Sequence, residues 1–128
     1  MQDIIKLYRN FKKYDQYSDI EIRLDLFPSM NLSQFKKHYE NDTLIGFTNW
    51  AYVSDSVLNN FKKTGILRKE DWKSGINLLF VDFVAIKNVR KIFKWCINEA
   101  KQFKGLKEYF LWARIKDNKI HKFIKRKR

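Results

Sequence analysis

The stretch from Asp71 to Ala85, DWKSGINLLFVDFVA, constrains this chain more than any other. A turn carrying Asp71, Ser74 and Gly75 leads into an apolar run, and one carboxylate, Asp82, sits inside that run. Side chains alternate along a strand, so a strand over residues 78–85 sets Asp82 on the same face as Leu78, Phe80 and Val84. Burying an ionised acid there is costly. It requires a partner, a shifted pKa or access to solvent. Two readings of Asp82 follow: a structural acid at a strand end, or a general base in a cleft.

The rest of the chain supplies what such a strand needs around it. Ile4, Leu7, Tyr8 and Phe11 fall on one helical stripe, which predicts a helix over 2–13. Residues 18–33 carry two conflicting signals. Ile20, Ile22, Leu24 and Leu26 alternate as in a strand, while Ser18 and Glu21 have the spacing of a capping box. Pro28 ends or kinks either element. Residues 34–40 and 44–53 flank the polar turn Asn41-Asp42-Thr43 and read as a hairpin, whose second strand is apolar on both faces and therefore central. Ser54 caps a short helix that Gly65 stops. A helix over 88–104 carries the stripe Val89, Ile92, Phe93, Cys96, Ile97, Ala100 and Phe103. A strand over 108–115, a turn at Asp117-Asn118, and a last strand or basic tail over 119–128 complete the chain. The expectation is a single α+β domain over 1–128 with a mixed, mostly antiparallel sheet of about five or six strands flanked by helices.

Composition excludes several classes. At 45% hydrophobic and 16% aromatic content, the 128 residues can build a real core. No apolar run reaches the ~20 residues of a membrane span. The start of the chain lacks the pattern of a signal peptide, and a lone cysteine, Cys96, cannot form an internal disulfide. Both point to a reducing cytoplasm. The net charge of +13 is uneven: residues 1–85 hold 12 Lys/Arg against 11 Asp/Glu, and residues 86–128 hold 15 against 3. The basic last third suits a polyanionic partner such as nucleic acid, an anionic membrane surface or an acidic protein, or it is a solvated surface.

Asp71-Trp72, Ser74-Gly75 and the strand Phe80-Val81-Asp82-Phe83-Val84-Ala85 together resemble the central signature of the RTX-toxin-activating lysine acyltransferases, the hemolysin-activating family. Phe27-Pro28, Asn49-Trp50-Ala51 and Ser54 match the same pattern at the same spacing. The likeness covers roughly residues 14–85, with one short gap before Asp71. It implies a fold related to the GNAT acetyltransferases. It also implies transfer of a fatty acyl group from acyl carrier protein to the ε-amino group of a lysine in a protoxin-like target, with no tightly bound cofactor. Asp82 matches the family's strand Asp. Asp25 stands where the family has Asn, and Tyr14 where it has its catalytic His. A tyrosine, with a pKa near 10, is a poor base at neutral pH. The chain also ends soon after the strand over 108–115, where family members continue. The resemblance therefore leaves two forms open: a minimal acyltransferase, or a relative that kept the fold and lost the chemistry.

The remaining candidates are weighed on their residues. His38 lies on the hairpin face opposite Phe35, where a solvated histidine is the plain reading and a replacement base the sharper one. His121 sits in a Lys-rich segment. Two histidines and one cysteine show no metal-ligand spacing, so no metal is expected. Ile86-Lys87-Asn88-Val89-Arg90 contains no glycine-rich pyrophosphate loop, which fits a donor held by a carrier protein rather than coenzyme A. Arg90, Lys91 and Lys94 form a basic helix face suited to that acidic carrier. Trp50, Tyr52 and Trp112 are candidates for an acyl channel, with core packing as the default for each. Two other readings stay open: nucleic-acid binding through KFIKRKR and nearby aromatic rings, and a non-catalytic or membrane-peripheral protein. A homodimer is compatible with either form.

Overall fold

A computed structural model describes residues 1–116 and 119–128. Helix α1 runs over Gln2–Tyr8, shorter than the apolar stripe predicts. Asn10 stops it: its side-chain amide donates to the carbonyls of Lys6 and Leu7, which would otherwise accept from a further turn. A single 3-10 turn follows at Lys12–Tyr14. The ambiguous segment is a helix, α2, over Asp19–Asn31. The capping box decides it. Ser18 Oγ accepts from the Glu21 N–H, and the Glu21 carboxylate accepts from the Ser18 N–H. The apparent alternation is two helical stripes: Ile22 and Leu26 are buried four residues apart, while Ile20 and Leu24 are exposed.

The hairpin forms as expected, with β1 over Phe35–Glu40 and β2 over Thr43–Val53. Helix α3 spans Asp55–Thr64, capped by Ser54 Oγ and closed by Gly65 at φ +70°. Strand β3 covers Asn77–Ala85, helix α4 Val89–Ala100, strand β4 Tyr109–Lys116 and strand β5 Lys119–Lys127. The turn expected at Asp117-Asn118 lies outside the described residues. The five strands lie in sequence order, and only the β3–β4 pair is parallel. This is an α+β fold with a mixed, mostly antiparallel sheet. None of the described helices is long and apolar enough to cross a membrane.

Residues 119–128 are not a basic tail. Residues 119–127 pair antiparallel with β4 from Lys116↔Lys119 to Tyr109↔Lys127. The Arg128 guanidinium then donates to the carbonyls of Ala100 at 2.6 Å and Lys107 at 2.9 Å. Backbone pairing satisfies the amides of this segment, and Lys122, Lys125, Arg126 and Lys127 stay exposed on the surface.

Helices α1, α2 and α3 cover one face of the sheet, with Phe47, Ala51, Val53, Leu79 and Val84 beneath them. Helix α4 covers the other, over Trp50, Leu78, Phe80 and Phe110. Close approach explains the glycines here. A Cβ on Gly46 would lie 2.6 Å from Ile92 of α4, and one on Gly75 would lie 2.4 Å from Ser54 Cα. Gly75 is required because the 71–75 turn is docked on the end of β2: the Ser74 and Gly75 amides both donate to the Tyr52 carbonyl.

Candidate active site

Two irregularities of the sheet make the site. The first lies between β2 and β3, where Thr48 pairs with Phe83 but Trp50 pairs with Phe80. Two residues of β3, Val81 and Asp82, therefore stand against Asn49 alone. Such a bulge reverses the alternation of side chains. Leu78 and Phe80 point to α4, while Asp82 and Val84 point to α1 and α2. The expectation that Asp82 shares a face with Leu78 and Phe80 is thus corrected, because it assumed an unbroken strand.

The bulge also leaves the Asp82 amide without a strand partner, and Asn49 supplies one. The Asp82 N–H donates to Asn49 Oδ1 at 2.7 Å, and Asn49 Nδ2 donates to Asp82 Oδ2 at 3.0 Å. Asn49 Nδ2 also lies 3.1 Å from Ser29 Oγ, which donates in turn to the Leu26 carbonyl. Asn49 and Ser29 are fully buried. The carboxylate is thereby fixed between the sheet and α2. Burial raises the Asp82 pKa, Asn49 opposes this, and the nearby Asp25 charge adds to the rise.

The second irregularity is the separation of β3 from β4. Their parallel pairing extends only from Leu78↔Phe110 to Phe80↔Trp112. Where the pairing ends, an apolar cleft of about 420 Å³ opens, lined by Phe80, Phe83, Val89, Phe93, Phe110 and Trp112. On the helical side a polar cleft of about 760 Å³ is lined by Tyr8, Tyr14, Tyr17, Asp25 and Asp82. Three residues line both clefts: Lys13, Tyr14 and Asp82.

Tyr14 is placed by Arg9, whose guanidinium donates to the Tyr14 carbonyl at 2.7 Å and to Asp19 at 2.6 Å. This ties the 3-10 turn to the first turn of α2. The Tyr14 ring packs on Tyr8 with centroids 4.7 Å apart, and Lys13 Nζ lies 5.0 Å from its centre. Burial and the Asp82 charge push the Tyr14 pKa above its ordinary value, so it is a phenol at neutral pH and no base. Asp25 sits at the rim of the polar cleft, its pKa raised by partial burial and by Glu21. Asp82, Tyr14 and Asp25, far apart in sequence, line one cleft.

The other candidates lie elsewhere. His38 is on the sheet face under α4, its ring edge-on to Trp95 and Nε2 2.9 Å from Thr48 Oγ1. It is buried, not solvated, and does not face Asp82. Burial pushes its pKa down to about 4. Alternation from Phe35 puts it on this face, and Asp82 leaves the face at the bulge. Trp50 is a core residue: it packs on Phe80, Trp95 and Phe103, and lines neither cleft. Arg90 stands at the edge of the apolar cleft, whereas Lys91 and Lys94 border a separate surface depression with His38. Burial raises Cys96 to about 12, as suits a core thiol.

Tyr8, Asn49 and Ser29 were not among the candidates read from the sequence. Asn49 lay within the Asn49-Trp50-Ala51 match, the one signal that could have marked it. Conversely, most of the conspicuous Asp71–Gly75 signature is structural. Asp71 Oδ2 accepts the Arg68 N–H, Trp72 is core, and Ser74 Oγ donates to the Asp71 carbonyl.

The model of the RTX toxin acyltransferase family (HlyC) matches residues 1–122. No curated protein is significantly similar to the chain in sequence. Among solved structures, the loading GNATL domain of CurA from Lyngbya majuscula superposes with a TM-score of 0.65 at 14% identity, over 91% of this chain and 61% of that one. The chain thus spans about three fifths of that domain's length, and the likeness establishes a GNAT-like fold. With the family model matching nearly its whole length, the chain belongs to the RTX toxin acyltransferase family.

Proposed function

We propose that this chain moves a fatty acyl group from the phosphopantetheine thioester of an acyl carrier protein to the ε-amino group of a lysine in a target protein. One observation carries the reading: two chemically unlike clefts meet at Asp82 and Tyr14. The apolar cleft suits an acyl chain and its thioester. The polar cleft suits an amine. A carboxylate at the junction touches both.

The chemistry balances with these residues. The acceptor ammonium gives one proton to solvent as it enters and a second to Asp82 as its nitrogen attacks the thioester carbonyl. The C–N bond forms and the C–S bond breaks. The departing thiolate takes a proton from Tyr14, and Asp82 returns its proton to Tyr14. The products are an amide and the free carrier thiol. Raised pKa values suit both roles: Asp82 becomes a stronger base, and Tyr14 stays protonated until needed.

The carrier docks by charge. Arg90 stands at the apolar cleft, and Lys91 and Lys94 are exposed on the same helix, α4. A carrier-bound donor places the reaction in the cytoplasm. The test is incubation with carrier protein loaded with a series of acyl chain lengths and with lysine-bearing acceptors, followed by mass spectrometry. The expected products are an acylated lysine and free carrier thiol. Transfer at no chain length, together with no carrier binding, overturns the proposal.

A further inference from the structure

Of the three residues that line both clefts, acyl transfer as written above employs two, Asp82 and Tyr14. The third is Lys13, the only cation among them. Its side chain is exposed, and its ammonium is paired with no acid among the described residues. It is nevertheless placed. Lys13 lies in the 3-10 turn Lys12–Tyr14, which Arg9 ties to α2, and its Nζ rests 5.0 Å from the centre of the Tyr14 ring. Its charge is felt at the carboxylate: burial raises the Asp82 pKa, and Asn49 and Lys13 oppose the rise.

A cation is needed at that junction. Attack on a thioester carbonyl drives its π electrons onto oxygen, and the new negative charge forms near the Asp82 carboxylate, which repels it. Tyr14 is committed to the departing sulfur. Arg90 lines only the apolar cleft, and Lys62 and Lys63 only the polar one. We infer that Lys13 donates a hydrogen bond from Nζ to the thioester carbonyl oxygen and stabilises the oxyanion of the tetrahedral intermediate. The inference rests on the acyl-transfer reading and assigns a residue to the one charge that reading leaves unmet. Lys13 keeps its proton throughout. The C–N bond forms as charge moves onto oxygen, the charge returns to the carbonyl as the C–S bond breaks, and proton exchange stays with Asp82 and Tyr14.

Lys13→Met removes the charge and keeps the length of the side chain, and Lys13→Arg restores a donor. Both are compared with the wild type on acyl-loaded carrier protein in two reactions: transfer to a lysine-bearing peptide, and thioester hydrolysis with water as the only acceptor. Rates are read at a pH above the acid limb, because losing the Lys13 charge lets the Asp82 pKa rise. An oxyanion forms in both reactions, so both should slow together. A preorganised oxyanion donor is worth about a hundredfold to a thousandfold in kcat; for an exposed one the expected fall in Lys13→Met is roughly tenfold to a hundredfold, with KM unchanged. Lys13→Arg should recover most of it, and both variants should keep the wild-type melting temperature. Unchanged kcat in Lys13→Met, a loss confined to KM, or slower transfer with unaltered hydrolysis overturns the inference and leaves acyl transfer standing. Hydrolysis that slows in Lys13→Met supports it even where no peptide is acylated. A wild type that neither transfers nor hydrolyses at any chain length refutes both readings.

Discussion

Replacing Asn49 with Ala tests how Asp82, the proposed base, is held. The substitution removes three hydrogen bonds: 2.7 Å from the Asp82 amide, 3.0 Å to its carboxylate and 3.1 Å to Ser29. Two join neutral groups and are worth about 1 kcal/mol each; the one to a carboxylate is worth about 1.5–3 kcal/mol. Asp82 borders the clefts, so water recovers part of the last, and the expected loss of stability is about 2–4 kcal/mol. The assay is urea denaturation, with the midpoint falling at constant slope.

The same variant has a second signature in the rate. Asn49 lowers the Asp82 pKa, against burial. Without it the pKa rises further. In the proposed mechanism the active base is the ionised carboxylate, so activity falls as pH drops through that pKa. The acid limb of the pH–rate profile should therefore move to higher pH in Asn49→Ala. A variant with unchanged urea midpoint and unchanged acid limb would refute the claim that Asn49 holds and tunes Asp82.

Asp82→Asn keeps an acceptor for Asn49 and removes the buried charge. Acyl transfer should fall about a hundredfold or more, with thermal stability at neutral pH unchanged or raised. His38 predicts a stability effect only. Its folded pKa of about 4 lies below the ordinary 6.5, so the unfolded chain binds more protons between those values and stability falls as pH drops through that window. His38→Gln, measured by denaturation at several pH values, should flatten that dependence and leave the rate profile alone. Gly75→Ala sets a Cβ 2.4 Å from Ser54 Cα, so its melting temperature should fall by the equivalent of about 2 kcal/mol or more. Phe93→Ala widens the apolar cleft, and competition between acyl donors should shift towards longer chains.

What could be read from the sequence depended on whether local chemistry or tertiary packing decided each element. Ser54, Gly65 and Asn41-Asp42-Thr43 state their structure locally, and the α3 bounds and the hairpin follow. Over residues 18–33 the apolar period misled, because α2 is apolar both towards the core, at Ile22 and Leu26, and towards solvent, at Ile20 and Leu24. Only the Ser18–Glu21 cap discriminated. The β3 bulge had no mark at all. No glycine or proline stands near Val81 and Asp82, and Asn49 stabilises the irregularity across 33 residues of sequence separation. Every inference about which face Asp82 occupies turned on that one unmarked residue.

The departures from the family pattern become intelligible together. A histidine at position 14 could serve as a base near neutral pH, but a tyrosine cannot, and the Asp82 charge raises the Tyr14 pKa still further. In the proposed mechanism the base function then falls to Asp82. That carboxylate is suited to it by burial and by Asp25, whose negative charge raises the Asp82 pKa in a way a neutral asparagine at position 25 would not. On that proposal Tyr14 and Asp25 act on the same proton in opposite roles: one withholds a base from the junction, and the other strengthens the proposed base. On this proposed division of labour, a tyrosine where the resemblance implies a histidine does not by itself mean the loss of catalysis.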